Sequence, residues 1–160
     1  MNSINLKGCI TELISDLEEY FMAGEKTMEN FLPEFKAFKF TDPLPEIPFS
    51  QKQYTRNRIY RCDQFEILFI GWDEGNSTKV HDHAENGCLL KMMYGQIRET
   101  RFGKDGNKVS LFNSGDSAYI HNTLGTHKLE NVHPGKSLSL HIYSPPDYLS
   151  RYTTDGNDAS

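Results

Sequence analysis

The chain has 160 residues, a formal net charge of −5 and an isoelectric point near 5.7. That length suits one domain with a substantial core, and the charge offers no basic patch for nucleic acid or an anionic membrane surface. No run of about 18 apolar residues is present, the N-terminal "MNSINLKGCI" lacks the apolar stretch of a secretory signal, and three widely spaced cysteines, Cys9, Cys62 and Cys88, suit a reducing compartment better than a disulfide framework, so a soluble, cytoplasmic chain acting on small molecules or proteins is the expectation.

Ile10, Leu13, Ile14, Leu17, Tyr20 and Phe21 recur at helical spacing, which gathers them on one stripe of an amphipathic helix over about residues 3–22. A second short helix is expected to start near Glu25 or Thr27 and to end by Pro33, with Thr27 capping exposed backbone N–H groups. "TDPLPEIPFS" follows as an extended connector.

From Tyr54 onward the hydrophobic period changes. Short β-rich runs, "FEILFIGW", "CLLKMMYGQIRETRF", "KVSLF", "SAYIH", "HKLENV" and "SLSLHIYS", alternate with Gly, Asn and Asp turns, the pattern of a β-sandwich or small barrel. "GKDGN" at 103–107 reads as a hairpin turn, because Asp-Gly and Gly-Asn tolerate positive φ, so the sheet is expected to be largely antiparallel.

"KVHDHAENGC" at 79–88 carries the first candidate chemistry. On a strand, His81 and His83 point to one side and Asp82 to the other. A lone H-x-H is as readily a pair of surface or hydrogen-bonded core histidines as a metal site.

Its surroundings are more specific. Gly75 precedes His81 and Gly95 follows Cys88 at spacings that resemble the first cupin motif, with Cys88 where that motif has glutamate. "GDSAYIHNTLGTHKLEN" resembles the second, with His127 and Asn131 in its closing positions and His121 where proline is usual. The resemblance implies an all-β cupin double-stranded β-helix, or jelly-roll barrel, with short N-terminal α-helices. It implies a single domain over 1–160: a helical segment at 1–38, the barrel at 39–149 and a short tail at 150–160. His81, His83 and His127 would surround one metal with no carboxylate in the glutamate slot. Three neutral imidazoles leave the ion its full charge for an anionic chelating substrate, and Fe(2+) is the metal expected. Asp82 is expected to face solvent or support the site from behind, and Glu85 to point outward.

Two further stretches add candidates. In "KSLSLHIYSPP", Ser139, His141 and Tyr143 alternate with Leu138, Leu140 and Ile142; the polar face meets solvent on an edge strand but lines the pocket inside a small barrel. In "YTRNRIYRC", Tyr54, Arg56 and Arg58 share one face; an arginine there is either a surface charge or a bidentate clamp for a carboxylate.

Taken in order, "YTRN", "HDHAENGC", "AYIHNTLGTHKLENV" and "SLHIYSPP" closely resemble the thiol dioxygenases, and within them the animal-type cysteine dioxygenases, over about residues 54–146. The resemblance implies ferrous iron on His81, His83 and His127, with L-cysteine and O2 as partners and cysteine sulfinate as product. Arg56 would hold the substrate carboxylate with Tyr54 beside it. Tyr143 would be the active-site tyrosine, oriented by His141 and Ser139 with Trp72 nearby, and Cys88 and Tyr143 the partners of a thioether crosslink. Gly87 departs from the family's usual histidine. Animal members continue for several tens of residues past the point where "SPPDYLSRYTTDGNDAS" stops, so the cover over the pocket is expected to differ. The expected oligomeric state is a monomer. The alternatives are a dioxygenase for 3-mercaptopropionate or cysteamine, a metal-dependent cupin isomerase or hydrolase, and a non-catalytic metal-binding cupin.

Overall fold

The computed structural model describes residues 8–25 and 27–148. The first helix, α1, spans Ile10–Met22 and buries Leu13, Leu17 and Phe21. It starts at the first residue of its apolar stripe rather than near residue 3: Gly8 and Cys9 form a turn, and residues 1–7 lie outside the described residues. The start is fixed from the connector, where Asp42 Oδ2 accepts the Ile10 N–H at 2.8 Å, satisfying one of the donors that a helix leaves open.

The second helical stretch differs from expectation. A 3₁₀ turn over Glu29–Phe31 leads into α2, Leu32–Ala37, so the chain stays helical beyond Pro33. Proline is tolerated in a first turn, where its missing N–H has no intrahelical acceptor. Thr27 does serve the start of this stretch, its Oγ1 accepting the Glu29 N–H at 3.3 Å.

Among the described residues eight strands follow: β1 (Thr55–Arg61), β2 (Glu66–Trp72), β3 (Cys88–Tyr94), β4 (Gln96–Gly103), β5 (Gly106–Asn113), β6 (Ser117–Ile120), β7 (Thr126–Asn131) and β8 (Ser137–Tyr143). They form a five-stranded sheet of order β1-β2-β8-β3-β6 and a three-stranded sheet of order β5-β4-β7, antiparallel at every pairing. The single run "CLLKMMYGQIRETRF" divides into β3 and β4 at Gly95, whose φ is +88°. The "GKDGN" hairpin forms with its tight turn at Lys104–Asp105.

Strands β2, β3 and β8 are buried on both faces. Leu138, Leu140 and Ile142 of β8, Ile67 and Phe69 of β2, and Leu89 of β3 pack with Leu13, Leu17, Phe31 and Phe35 of the helical region. Between the sheets, Ile70, Trp72, Leu90, Met92, Ile97 and Leu129 form a second cluster. The apolar face of β8 therefore serves the helices, and its polar face, Ser139 and His141 included, is turned into the barrel. The fold is a cupin double-stranded β-helix.

Candidate metal centre

His81 and His83 do not sit on a regular strand, as the alternation argument assumed. The segment before His83 touches β7 only through isolated bridges, Ser77 to Glu130 and His81 to His127, the latter with N–O distances of 3.0 and 3.1 Å in the two directions. After His81 the chain leaves the sheet, and the His83 N–H donates instead to Asn122 Oδ1 at 2.8 Å. The two imidazoles still converge, their ring centroids 5.6 Å apart.

They meet His127, the second residue of β7. The ligand atoms of His81, His83 and His127 all lie within 4.8 Å of one another, with His81 Nε2 and His127 Nε2 3.1 Å apart. Each ring is held by an acceptor at its other nitrogen. His81 Nδ1 is 2.7 Å from the Lys79 carbonyl, His83 Nδ1 is 3.2 Å from Asn122 Oδ1, and His127 Nδ1 is 2.8 Å from Glu99 Oε2. Such acceptors place the proton on Nδ1 and leave the Nε2 lone pairs facing inward. His83 Nε2 is buried with no hydrogen-bond partner, the condition of a donor atom shaped for a ligand. Burial holds all three rings neutral: it lowers His81, lowers His127 well below the ordinary value, and with the neighbouring His127 and His81 takes His83 down to about 2. Neutral imidazole is the form that ligates.

Behind His127 lies a residue that the sequence reading missed. Glu99 on β4 is 3% exposed, its Oε1 accepting from Arg101 Nη2 at 3.2 Å while Oε2 faces His127. Burial raises its carboxyl against the opposing pull of Arg101. In "QIRETRF" the alternation shows only that Ile97, Glu99 and Arg101 share one face; the β4–β7 register, which places Arg101 opposite His127, is what brings that face to the histidine.

Asp82 turns away from the cluster, accepting the Tyr148 hydroxyl at 2.6 Å. Glu85 is exposed. Its carbonyl takes a hydrogen bond from His121 Nε2 at 2.7 Å, and the other ring nitrogen of His121 accepts the Thr123 N–H at 3.1 Å, so His121 pins the turn after His83. Asn131 is structural: its side chain donates to the carbonyls of Asp73 and Gly135 at 2.9 and 2.8 Å and accepts from Ser137 Oγ at 2.8 Å.

The pocket over the three histidines is also lined by Tyr54, Arg56, Trp72, Cys88, His141 and Tyr143. The Arg56 guanidinium stands 5.4 Å above the Tyr143 ring and, among the described residues, makes no hydrogen bond or ion pair. Arg58, expected on the same face, instead pairs with Glu66 and Asp147 at 3.3 and 2.7 Å. Tyr54 packs on Trp72, ring centroids 5.1 Å apart. A relay runs inward from there: Trp72 Nε1–H donates to Ser139 Oγ at 2.9 Å, Ser139 Oγ lies 2.7 Å from His141 Nε2, and His141 Nδ1 lies 3.2 Å from the Tyr143 hydroxyl. Cys88 and Tyr143 are direct cross-strand partners. Burial pushes the Cys88 thiol up to about 12 and the Tyr143 hydroxyl well above its ordinary value, so both stay protonated at neutral pH.

Fold and donor set together define a cupin with a three-histidine cluster suited to a metal ion. The family model "Cysteine dioxygenase type I" matches residues 46–154. The chain belongs to the cysteine dioxygenase type I family. It is 31% identical over 150 residues to cysteine dioxygenase type 1 of Danio rerio and to that of Homo sapiens, the alignments covering 86% of this chain and 75% and 74% of those proteins. Among solved structures it is similar to an RmlC-like cupin protein from Desulfovibrio desulfuricans, with TM-score 0.51 and 20% identity over 66% of this chain and 95% of that one, a likeness of fold.

Proposed function

We propose that this chain is a cytoplasmic, monomeric, single-domain thiol dioxygenase that oxidises L-cysteine with O2 to cysteine sulfinate, using ferrous iron held by His81, His83 and His127. The observation that carries the proposal is the pairing, in one pocket, of three inward-facing neutral Nε2 atoms with an arginine whose guanidinium, among the described residues, has no ion pair of its own. Held there by His81, His83 and His127, ferrous iron would bring the thiol and O2 together and activate O2, the four electrons of its reduction coming from the thiol sulfur as it becomes the sulfinate.

The remaining work falls to the chain. Arg56 receives the carboxylate of the amino acid with two parallel hydrogen bonds and so fixes which substrate atoms face the histidines. Tyr54, held on Trp72, closes the side of that subsite. Tyr143 offers a hydroxyl that stays protonated and can donate to the reacting oxygen or sulfur, and the Trp72–Ser139–His141 relay fixes its direction. Cys88 leaves the usual glutamate position uncharged and stands beside Tyr143, where the thiol and the ring can join in a thioether, O2 serving as the oxidant that takes up the two electrons and the two hydrogens lost.

The test is anaerobic iron loading, then oxygen uptake and sulfinate assay with cysteine, 3-mercaptopropionate and cysteamine. Cysteine is expected to be the preferred thiol, and Arg56→Gln to raise KM for cysteine by about tenfold or more, the value of a charge-assisted hydrogen bond. Unchanged cysteine kinetics in Arg56→Gln would remove the clamp. Metal binding without thiol-dependent oxygen uptake would leave a non-catalytic cupin, and preference for another thiol would reassign the substrate. In the same samples, peptide mapping is expected to find the Cys88 and Tyr143 peptides joined with loss of two hydrogens; separate peptides after turnover would refute the crosslink.

A further inference from the structure

The outer face of the five-stranded sheet carries a lysine with a buried side-chain stem that the proposed chemistry leaves unused. Leu89 and Lys91 of β3 point away from the barrel toward the helical region, and Lys91 is 4% exposed. Among the described residues its ammonium has no hydrogen bond and no ion pair; it lies over the Phe35 ring of α2, 5.1 Å from the centroid. Lysine is almost never so buried without a counter-charge, and a contact with an aromatic face offsets only part of the cost. Burial accordingly lowers the Lys91 ammonium below its ordinary pKa.

Lys91 opens onto a cavity of about 380 Å³ between β3 and the segment that leaves α2, a size that admits a small ligand. Phe38 and Phe40 are among its apolar lining, and two further lysines, the exposed Lys36 and Lys39, also line it. Among the described residues the single carboxylate in the lining, Asp42, already accepts the Ile10 N–H and pairs with none of the three lysines. Three cations against one committed anion, beside two aromatic side chains, favour a guest with a negative head and an apolar body.

We infer that this cavity binds a small organic anion, a carboxylate carrying an apolar chain, with Lys91 as its anchoring cation and Phe38 and Phe40 against its apolar part. A lysine whose head merely reaches solvent along an apolar surface would show no such guest.

The test uses the full chain labelled with ε-¹³C lysine, titrated with hexanoate, acetate, inorganic phosphate and hexylamine, with Lys91→Met assigning the Lys91 signal. Hexanoate is expected to shift that signal saturably and to bind at least about tenfold more tightly than acetate or phosphate, with no saturable response to hexylamine. By calorimetry, Lys91→Met and the exposed rim variant Lys36→Glu are each expected to weaken hexanoate by about tenfold. Arg56→Gln keeps the Lys91 response, which separates this cavity from the barrel pocket. Absence of a saturable shift at Lys91, or hexanoate affinity unaltered in both lysine variants, overturns the inference; phosphate binding as tightly as hexanoate overturns the organic-anion assignment.

Discussion

His81 hands its Nδ1 proton to a main-chain carbonyl and His83 to an amide oxygen, but His127 faces the carboxylate of Glu99 at 2.8 Å. A carboxylate behind a metal-ligating histidine aims the ring and raises its basicity, and such partners are typically worth about 10–100-fold in metal affinity. Glu99→Gln keeps the shape and removes the charge, leaving Arg101 without its counter-ion. Divalent-metal affinity, measured by chelator competition, is expected to fall within that range, while far-ultraviolet circular dichroism stays that of the parent. Unchanged affinity would make Glu99 a purely structural partner of Arg101. The three histidines could be read from the sequence because H-x-H and the later His127 fall in cupin spacing. Glu99 could not, because its role depends on β4 lying beside β7, and no local spacing encodes which strands pair. Arg56 and Arg58 make the same point: they look alike in "YTRNR", yet Arg58 meets Glu66 and Asp147 while Arg56 stands over Tyr143.

At the scale of elements, the alternation in "SLSLHIYS" announced a two-faced strand, and β8 has both faces covered, one by helices and one by the barrel interior. The helical stripe from Ile10 to Phe21 was visible for the same reason, since period alone reports which side is apolar. The breaks between elements were less visible. β3 and β4 read as one run because their residues keep a strand-like composition across Gly95, and α2 passes Pro33 because a proline in a first turn looks, in sequence, like a proline that ends a helix. Gly95 takes φ +88°, and a Cβ there would strike the Ser137 side chain, whose Oγ accepts the Gln96 N–H at 3.1 Å and donates to Asn131 Oδ1. Gly95→Ala therefore meets both backbone strain and a clash with a hydrogen-bonded group. It is expected to cost about 1–3 kcal/mol or more, seen as a lower urea midpoint with an unchanged m-value. A midpoint equal to the parent's would show that β8 can move aside.

Across the whole molecule, four histidines, the buried His83, His127 and His141 and the half-buried His81, are lowered from the ordinary value of 6.5, desolvation being the first cause in each. Unfolding exposes rings that take up protons near that value, so between it and the lowered folded values the unfolded chain binds more protons. Stability then rises with pH and falls as pH drops below about 6.5. Glu99 works in the opposite sense, because its raised carboxyl is protonated more readily in the folded chain, but it is one group against four. For the metal-free chain, unfolding free energy is expected to decline between about pH 6.5 and 5 with a slope of at least about 1.4 kcal/mol per pH unit, the value of one proton. Urea titrations across that window measure it, and a flat profile would mean that the histidines are solvated in the folded state. Loading with a divalent metal should raise stability at every pH in the window without abolishing the decline, because a metal-bound imidazole carries no proton while the unfolded chain still takes up protons on the same histidines.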